Sequence, residues 1–399
     1  MIEKKIAPEW KSGSARTITF IVTKDCQLAC KYCYLVGKNE NETMDFKTAK
    51  KAIDYILNDP KICNSESVIW DFIGGEPFLE VDLIDEICDY IKKQLYVKNH
   101  HWFDSYRFSF STNGINYDSQ KVQNFIQKNH NHLSIGITID GTKKKHDLNR
   151  IWKGEGPEKG SYEDVVRNIP LWLEQFPGAS TKVTISSADI PYIKESVVHL
   201  YSLGIQEVNI NVVFENVWKE KDDEIFEDQL IQLADHIIDN DLYREYACSF
   251  FSEQIGKPLI PEDNRNWCGA GNMISVDAQG YFYPCTRFAG YSLRSKRPLI
   301  IGNVDEGIDQ NKLRPFFTLD LTTQSPQECI DCEVASGCSW CQGENYDAAE
   351  SNTIYQRSTA ICKMHKARVR ANNYYWNKLF RKIEKTGESK PESKPTVIC

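Results

Sequence analysis

The 399-residue sequence predicts an α/β fold: a partial (β/α)6 TIM barrel followed by a cysteine-rich C-terminal domain. Three observations carry this. Residues 17–213 alternate apolar strand-like runs with helical periodicity, the signature of parallel strands joined by crossover helices. Six such units fit into about two hundred residues, whereas a closed eight-stranded barrel takes about 250. Ten of the fourteen cysteines fall into two widely separated constellations.

Taken in order, residues 1–16 form an N-terminal segment and 17–215 the partial barrel. Its strands are predicted at 17–23, 68–73, 107–112, 133–139, 182–186 and 208–213. The first helix is marked by Phe46, Ala49, Ile53, Ile56 and Leu57 at helical spacing after a Thr43 cap. Others are predicted near 83–95, 119–127, 162–174 and 193–203. Residues 216–265 read as a helical connection, acidic over 221–228, the mark of a solvated face. The cysteine-rich domain spans 266–362, and 363–399 a helix and a polar tail. That helix carries seven Lys or Arg and no acid over 363–383. It predicts either a solvated basic face or a dock for an acidic peptide.

Composition narrows the function. A content of 41% hydrophobic residues fits a soluble globular chain, and a formal charge of -8 opposes a dedicated nucleic-acid binder. Residues 1–7 lack the apolar core of a signal peptide, and no run approaches the roughly 18 apolar residues of a membrane span. The expectation is a cytoplasmic protein with no nucleic-acid or membrane partner. In a reducing compartment, clustered cysteines read as metal ligands rather than disulfides.

Cys26, Cys30 and Cys33, at C-x3-C-x2-C, follow the first strand directly. Three thiolates can hold a cubane iron-sulfur cluster and leave one iron without a protein ligand. A zinc knuckle is the alternative, although zinc sites more often pair their cysteines as C-x2-C. The second strand ends in Gly74-Gly75-Glu76-Pro77, where two glycines allow close backbone approach and a carboxylate follows. The third ends in Ser111-Thr112-Asn113-Gly114 and the fourth in Thr138-Ile139-Asp140-Gly141, with Arg150 beyond. The second constellation comprises Cys268, Cys285, Cys329, Cys332, Cys338, Cys341 and Cys362. Cys63 and Cys88 fall in or near helices and read as packing residues, and Cys399 ends the tail.

The first loop, with Tyr32 just before its third cysteine, resembles the signature of the radical S-adenosylmethionine enzymes. The resemblance implies that Cys26, Cys30 and Cys33 hold a 4Fe-4S cluster whose open iron chelates S-adenosylmethionine, and that an electron from it releases a 5′-deoxyadenosyl radical. It implies cofactor contacts from Tyr32, Gly74, Gly75, Glu76, Ser111, Asn113, Thr138, Asp140 and Arg150. Glu76 would meet the methionine amino group, Thr138 the ribose and Arg150 the carboxylate, which suits its bidentate fork. Thr138 stands where the usual form has serine.

The later cysteines resemble the SPASM extension of radical enzymes that modify peptides, giving three 4Fe-4S clusters in all. Cys329, Cys332, Cys338 and Cys362 would ligate the outer auxiliary cluster, and Cys268, Cys285 and Cys341 the inner one. The gap between Cys338 and Cys341 is x2 where the usual pattern has x3. Fully ligated relatives have a further cysteine shortly before the one matching Cys268, and residues 261–267 contain none. The inner cluster is therefore one ligand short. Either its fourth position is open to a substrate thiolate, a soft ligand for iron, or Cys248 completes it.

The resemblance implies oxidative maturation of a ribosomally made precursor peptide, with a flavodoxin or ferredoxin as electron donor. Cysteine-to-carbon thioether formation is the leading product and carbon-carbon crosslinking the alternative. Only 25 residues precede Cys26, so leader binding is expected to use the barrel, the C-terminal helix or another protein. Anaerobic sulfatase-maturating enzymes share the pattern but carry a carboxylate directly after the cysteine matching Cys285, where this chain has Thr286. An iron-sulfur or zinc scaffold is the non-enzymatic reading. No residue stands out as the catalytic base.

Overall fold

The computed structural model describes residues 15–38, 40–154 and 159–387. Residues 1–14, the tail from 388 and Cys399 lie outside the described residues.

Four parallel strands open the fold: β1 Arg16–Thr23, β2 Val68–Gly74, β3 Tyr106–Thr112 and β4 Leu133–Ile137, paired in that order. A second parallel group follows with β5 Ser180–Ile185, β6 Glu207–Val212 and the short β7 Ala247–Cys248. No ladder joins the two groups among the described residues, but the Thr181 hydroxyl does: it donates to Ile137 O at 2.7 Å and accepts from Ile139 N at 3.2 Å. Ile139 was expected inside the fourth strand; instead the ladder stops at Ile137 and the segment through Asp140 peels away to bond elsewhere.

The cysteine-rich region adds to the first sheet: β8 Met273–Val276, β9 Tyr281–Tyr283, β10 Gly302–Asn303 and β11 Gly307–Ile308 extend it on the far side of β1. β8 runs parallel to β1, and the other three are antiparallel to their neighbours.

The helices are α1 Phe46–Asn58, α2 Val81–Val97, α3 Gln120–Asn129, α4 Lys143–Asn149, α5 Tyr162–Val166, α6 Ile169–Gln175, α7 Ile193–Ser202 and α8 Asp222–Asp239, with several short ones before a long C-terminal helix, Cys362–Thr386. Two expectations need correction. Asp45, not Thr43, caps α1: its carboxylate accepts from Thr48 N at 2.6 Å, while Thr43 is tied up in a bridge to Thr23. The helix expected over 162–174 is two pieces, because Pro170 lacks the N–H that a continuous helix needs and sits in the first turn of α6.

One strand face is apolar and covered by helices. Ile18, Phe20, Trp70, Phe72, Phe108, Phe110, Ile135 and Ile137 are buried there, with Phe72 stacked between Phe20 and Phe110 at 5.7 and 5.1 Å. The alternate positions carry Thr19, Asp71, Ser109, Ser111, Ser134 and Lys182, and the last of these faces is partly open. This period-2 division is what a sheet with helices on one side and a cavity on the other requires.

The basic C-terminal helix is neither freely solvated nor free to dock an acidic peptide along its whole length. It packs along acidic α8, pairing Lys363 with Asp223, Arg370 with Glu227, Lys378 with Asp235 and Asp239, and Lys382 with Asp241. These half-exposed pairs each contribute on the order of 0–1 kcal/mol. The apolar seam, including fully buried Leu379, Ala371 and Leu230, contributes more. No helix among the described residues is long and apolar enough to cross a membrane.

Leu379→Ala is therefore expected to cost about 2–5 kcal/mol and Lys378→Met less than about 1 kcal/mol, read as urea midpoints. Equal losses would show that ion pairs, not the seam, dock this helix.

Candidate functional site

The C-terminal ends of β1 to β4 converge, as parallel strands must, and their loops form one cluster of polar groups. The β1 loop brings Cys26, Cys30 and Cys33 there. Gly74 and Gly75 are required by close approach: a Cβ on Gly74 would lie 2.2 Å from Thr23 O, and one on Gly75 2.0 Å from Asp25 O. The backbone of the second strand end thus lies directly against the start of the cysteine loop, held by Gly75 N to Thr23 O at 2.9 Å and Glu76 N to Asp25 O at 2.8 Å.

Glu76 is buried beneath this loop. Its carboxylate accepts from Thr112 Oγ1 at 2.6 Å, Asn113 N at 2.7 Å and Phe78 N at 3.1 Å. Burial raises its pKa, opposed by those three donors. Three bonds leave one of roughly four acceptor positions for a further donor. Asn113 reaches the loop itself, donating to Gln27 Oε1 at 3.0 Å with Cys26 Sγ at 3.9 Å. Ser111 is exposed on the open face, and Thr138 N bonds Thr112 O at 3.0 Å at the end of β4.

Tyr32, Asp140 and Arg150 form a second knot. The Tyr32 hydroxyl donates to Asp140 Oδ2 at 2.5 Å and accepts from Arg150 Nη1 at 2.9 Å. Burial would raise the Asp140 pKa, but Lys145 and Arg150 hold it below the usual range. Arg150 Nε is buried without a hydrogen-bond partner among the described residues. A buried guanidinium nitrogen left unpaired costs free energy unless something accepts from it, and an anionic group would.

Burial pushes the Cys26 thiol up to about 12, with the Glu76 charge adding to it, and pushes Cys30 up against the opposing charge of Arg150. Such thiols ionise readily only when a metal replaces the proton. The donor chemistry fits the implied groups: three converging thiols for a cluster, and a carboxylate, a phenol and an unpaired guanidinium nitrogen for a zwitterionic amino acid moiety.

The seven later cysteines separate into two sets. Cys285 feels burial first and then the charges of Cys268 and Cys341. Cys338 feels Cys362, Cys329 and Cys332, and Cys329 feels Cys362 and Cys332. These neighbourhoods number three thiols and four. Among the described residues no group of three or more His, Cys, Asp or Glu is set closely enough to hold a single metal ion; a cubane, with one thiolate per iron, takes a wider spacing. Cys248 lies in β7, buried, with Tyr201, Tyr375 and Arg368 as its neighbours. Cys88 is fully buried in α2, and the Cys63 thiol donates to Ile56 O at 3.1 Å, both consistent with packing roles.

Three polar residues escaped the sequence reading. Asp71, the lone acid in the apolar run of β2, faces the open side and accepts from Thr19 Oγ1 at 3.3 Å and from Ser109. Its break in strand alternation was the signal available. Tyr34 and Arg287 stack, guanidinium over ring at 4.6 Å, between Cys33 and Cys285; only the tertiary fold brings them together.

Desolvation raises Asp71 from 3.8 to about 6. A carboxyl held higher in the folded than the unfolded chain costs no stability below pH 4, and the cost grows through pH 4–6 and is complete above. At 1.36 kcal/mol per unit it reaches at most about 3 kcal/mol. Asp71→Asn is expected to raise the urea midpoint at pH 8, with the gain vanishing near pH 4; unchanged midpoints at pH 8 would contradict this. Gly75→Ala is expected to displace the Cys26 loop and lose about four irons per chain on reconstitution, measured by iron content against an Ala substitution at Gly136, whose Cβ would meet nothing closer than 3.8 Å.

A family described as a 4Fe-4S single cluster domain matches residues 13–156. An uncharacterized protein of Methanocaldococcus jannaschii is 29% identical over 73% of this chain and 89% of its own length. A cysteine-type anaerobic sulfatase-maturating enzyme of Clostridium novyi is 28% identical over 37% of this chain and 38% of its own length. The radical SAM cyclopropyl synthase TigE of Paramaledivibacter caminithermalis is 20% identical over 89% and 73%. Among solved structures, native anSMEcpe with bound AdoMet and Cp18Cys peptide superposes with a TM-score of 0.67 at 18% identity, over 93% of this chain and 99% of that one. Streptococcus suis SuiB bound to precursor peptide SuiA gives 0.58 at 13%, over 87% and 75%. In its cysteine loop and its fold the chain is thus similar to radical S-adenosylmethionine enzymes that act on peptides or proteins.

Proposed function

We propose that the chain is a peptide maturase that oxidatively crosslinks a ribosomally made precursor, forming a thioether between a cysteine sulfur and a carbon. The observation that carries this reading is the division of the seven later thiols into sets of three and four. A set of three leaves one iron of a cubane available to a substrate thiolate, and the neighbours of Cys248 in β7 favour that over completion of the set by Cys248.

When bound, the cofactor and the cluster at Cys26, Cys30 and Cys33 supply a 5′-deoxyadenosyl radical that takes a hydrogen atom from an unactivated carbon. The residues of the chain do the rest. Arg150, through its unpaired Nε, and Glu76, through its remaining acceptor position, orient the two ends of the methionine moiety. Tyr32 and Asp140 fix the Arg150 side chain. Thr138 and Ser111 supply hydroxyls at the rim. Joining carbon to sulfur removes one hydrogen from each partner, so a proton and a further electron must leave. Asp71, on the open face and raised to about 6, is ionised near neutral pH and can accept that proton; the two later thiol sets are where an electron acceptor would be held.

Formylglycine formation is the second reading, favoured by the Clostridium novyi relative. Position 286 weighs against it: the Thr286 hydroxyl shares a hydrogen bond with Ser275 at 3.2 Å and provides no carboxylate.

The test is iron and sulfide content with electron paramagnetic resonance on anaerobically reconstituted wild type and a Cys26/Cys30/Cys33→Ala variant. About twelve irons falling to about eight, with S-adenosylmethionine cleavage lost, is expected for one radical and two auxiliary cubanes. Stoichiometric zinc with little iron would overturn the reading. With a cysteine-containing precursor peptide, loss of two hydrogens and of thiol alkylation marks a thioether, two hydrogens lost with the thiol retained a carbon-carbon link, and an aldehyde formylglycine.

A further inference from the structure

Arg287 occupies a position that the proposed chemistry leaves unexplained. It stands two residues after Cys285, in a single 3-10 turn, and its backbone N–H bonds the Cys285 sulfur. Its guanidinium lies over the ring of Tyr34, which directly follows Cys33. On the other side its Cβ carbon packs against Gly343, the second residue of the helix Gln342–Ala348 that Cys341 caps, where an added Cβ would come within 2.3 Å. The cation is thus wedged between the first cysteine loop and the set Cys268, Cys285 and Cys341.

The site is built to hold a charge. The Arg287 side chain is only 15% exposed. A single nitrogen, Nη2, takes both acids that face it, Glu215 at 2.9 Å and Glu344 at 3.1 Å. Glu344 is shared with Arg294, which also pairs with Asp347 at 3.2 Å, so Glu344 is itself anchored. Tyr34, Cys285 and Cys341 complete the titratable groups around it. Burial works against the Arg287 charge, yet the Cys341 and Glu215 charges hold it firmly protonated.

We propose that Arg287 is the fixed positive charge that sets the reduction potential of the inner auxiliary cluster, and that it positions Tyr34 as the wall between that cluster and the first. The inference rests on the reading that Cys268, Cys285 and Cys341 hold a cluster. Reduction adds one negative charge to a cubane. A buried cation beside it favours the reduced form and raises the potential, because the protein interior screens that interaction poorly. A higher potential makes the inner site the better acceptor for the electron that a crosslinking substrate must give up. The outer set has its own cation, Arg357, whose Nη2 lies 3.1 Å from Cys338 Sγ, so the outer set does not depend on Arg287 for its compensating charge.

The experiment is a mediated redox titration, followed by electron paramagnetic resonance, on the reconstituted full chain, with signals assigned from alanine variants of each cysteine set. Arg287→Met is expected to shift the inner potential to more negative values and leave that of the outer cluster in place, and Arg287→Lys to restore it towards wild type. Should Arg287→Met fail to retain the inner cluster, Glu215→Gln, which removes an opposing negative charge and keeps the cation, is expected to shift the same potential upward. A loaded inner cluster with unmoved potential in these variants overturns the proposal. A wild type holding only about eight irons overturns the underlying cluster reading instead, and iron content tells the two failures apart.

Discussion

The structure depends on β1 pairing in parallel on both sides, with β2 over its whole length and with β8 through Thr17–Met273 to Phe20–Val276. A strand in that position delivers its C-terminal loop to the junction of two chain regions more than two hundred residues apart in sequence. Cys26, Cys30 and Cys33 therefore meet the ends of β2 to β4 on one side and the segment from Cys268 to Cys285 on the other. Had β8 paired elsewhere, Tyr34 and Arg287 could not have met.

Burying several thiols near one another raises a charge problem that the fold answers three times in the same way. Burial pushes one or two thiols of each set towards the protonated form, and an arginine opposes it there: Arg150 at Cys30, Arg287 at Cys285, and Arg357 at Cys329 and Cys338. Guanidinium groups suit this task because they stay charged when buried and stack on aromatic rings. Arg287 lies over Tyr34 and Arg357 over Trp340, at 4.6 and 4.9 Å.

The two strand faces have different duties. The apolar face, from Ile18 to Ile137, holds the helices in place through burial. The opposite face carries Thr19, Asp71, Ser109 and Ser134, which a purely structural sheet would not choose. Asp71 shows the tension: desolvation raises its carboxyl to about 6, and the cost of holding it is offset by the apolar packing behind the same strand. The acidic α8 and the basic C-terminal helix divide labour similarly, with apolar contacts supplying most of the affinity and ion pairs supplying the match.

Much of this was legible in the sequence because local periodicity and spacing are local physics. Period-2 runs located β1 to β6, helical spacing located α1 and the C-terminal helix, and the cysteine spacings marked three thiol sets. The strand-end residues Glu76, Asn113, Asp140 and Arg150 were readable from their order along the chain, since parallel strands bring their C-terminal ends together. Tertiary structure decided what depends on contacts between distant segments. The register of β8 against β1, the stacking of Arg287 on Tyr34, the placement of Cys248 in β7 and the pairing of α8 with the C-terminal helix leave no local periodic trace. The sequence by itself determined which chemistry the chain can carry, through the identity and spacing of its ligands; only the fold decided which charges surround those ligands, because that is set by long-range packing.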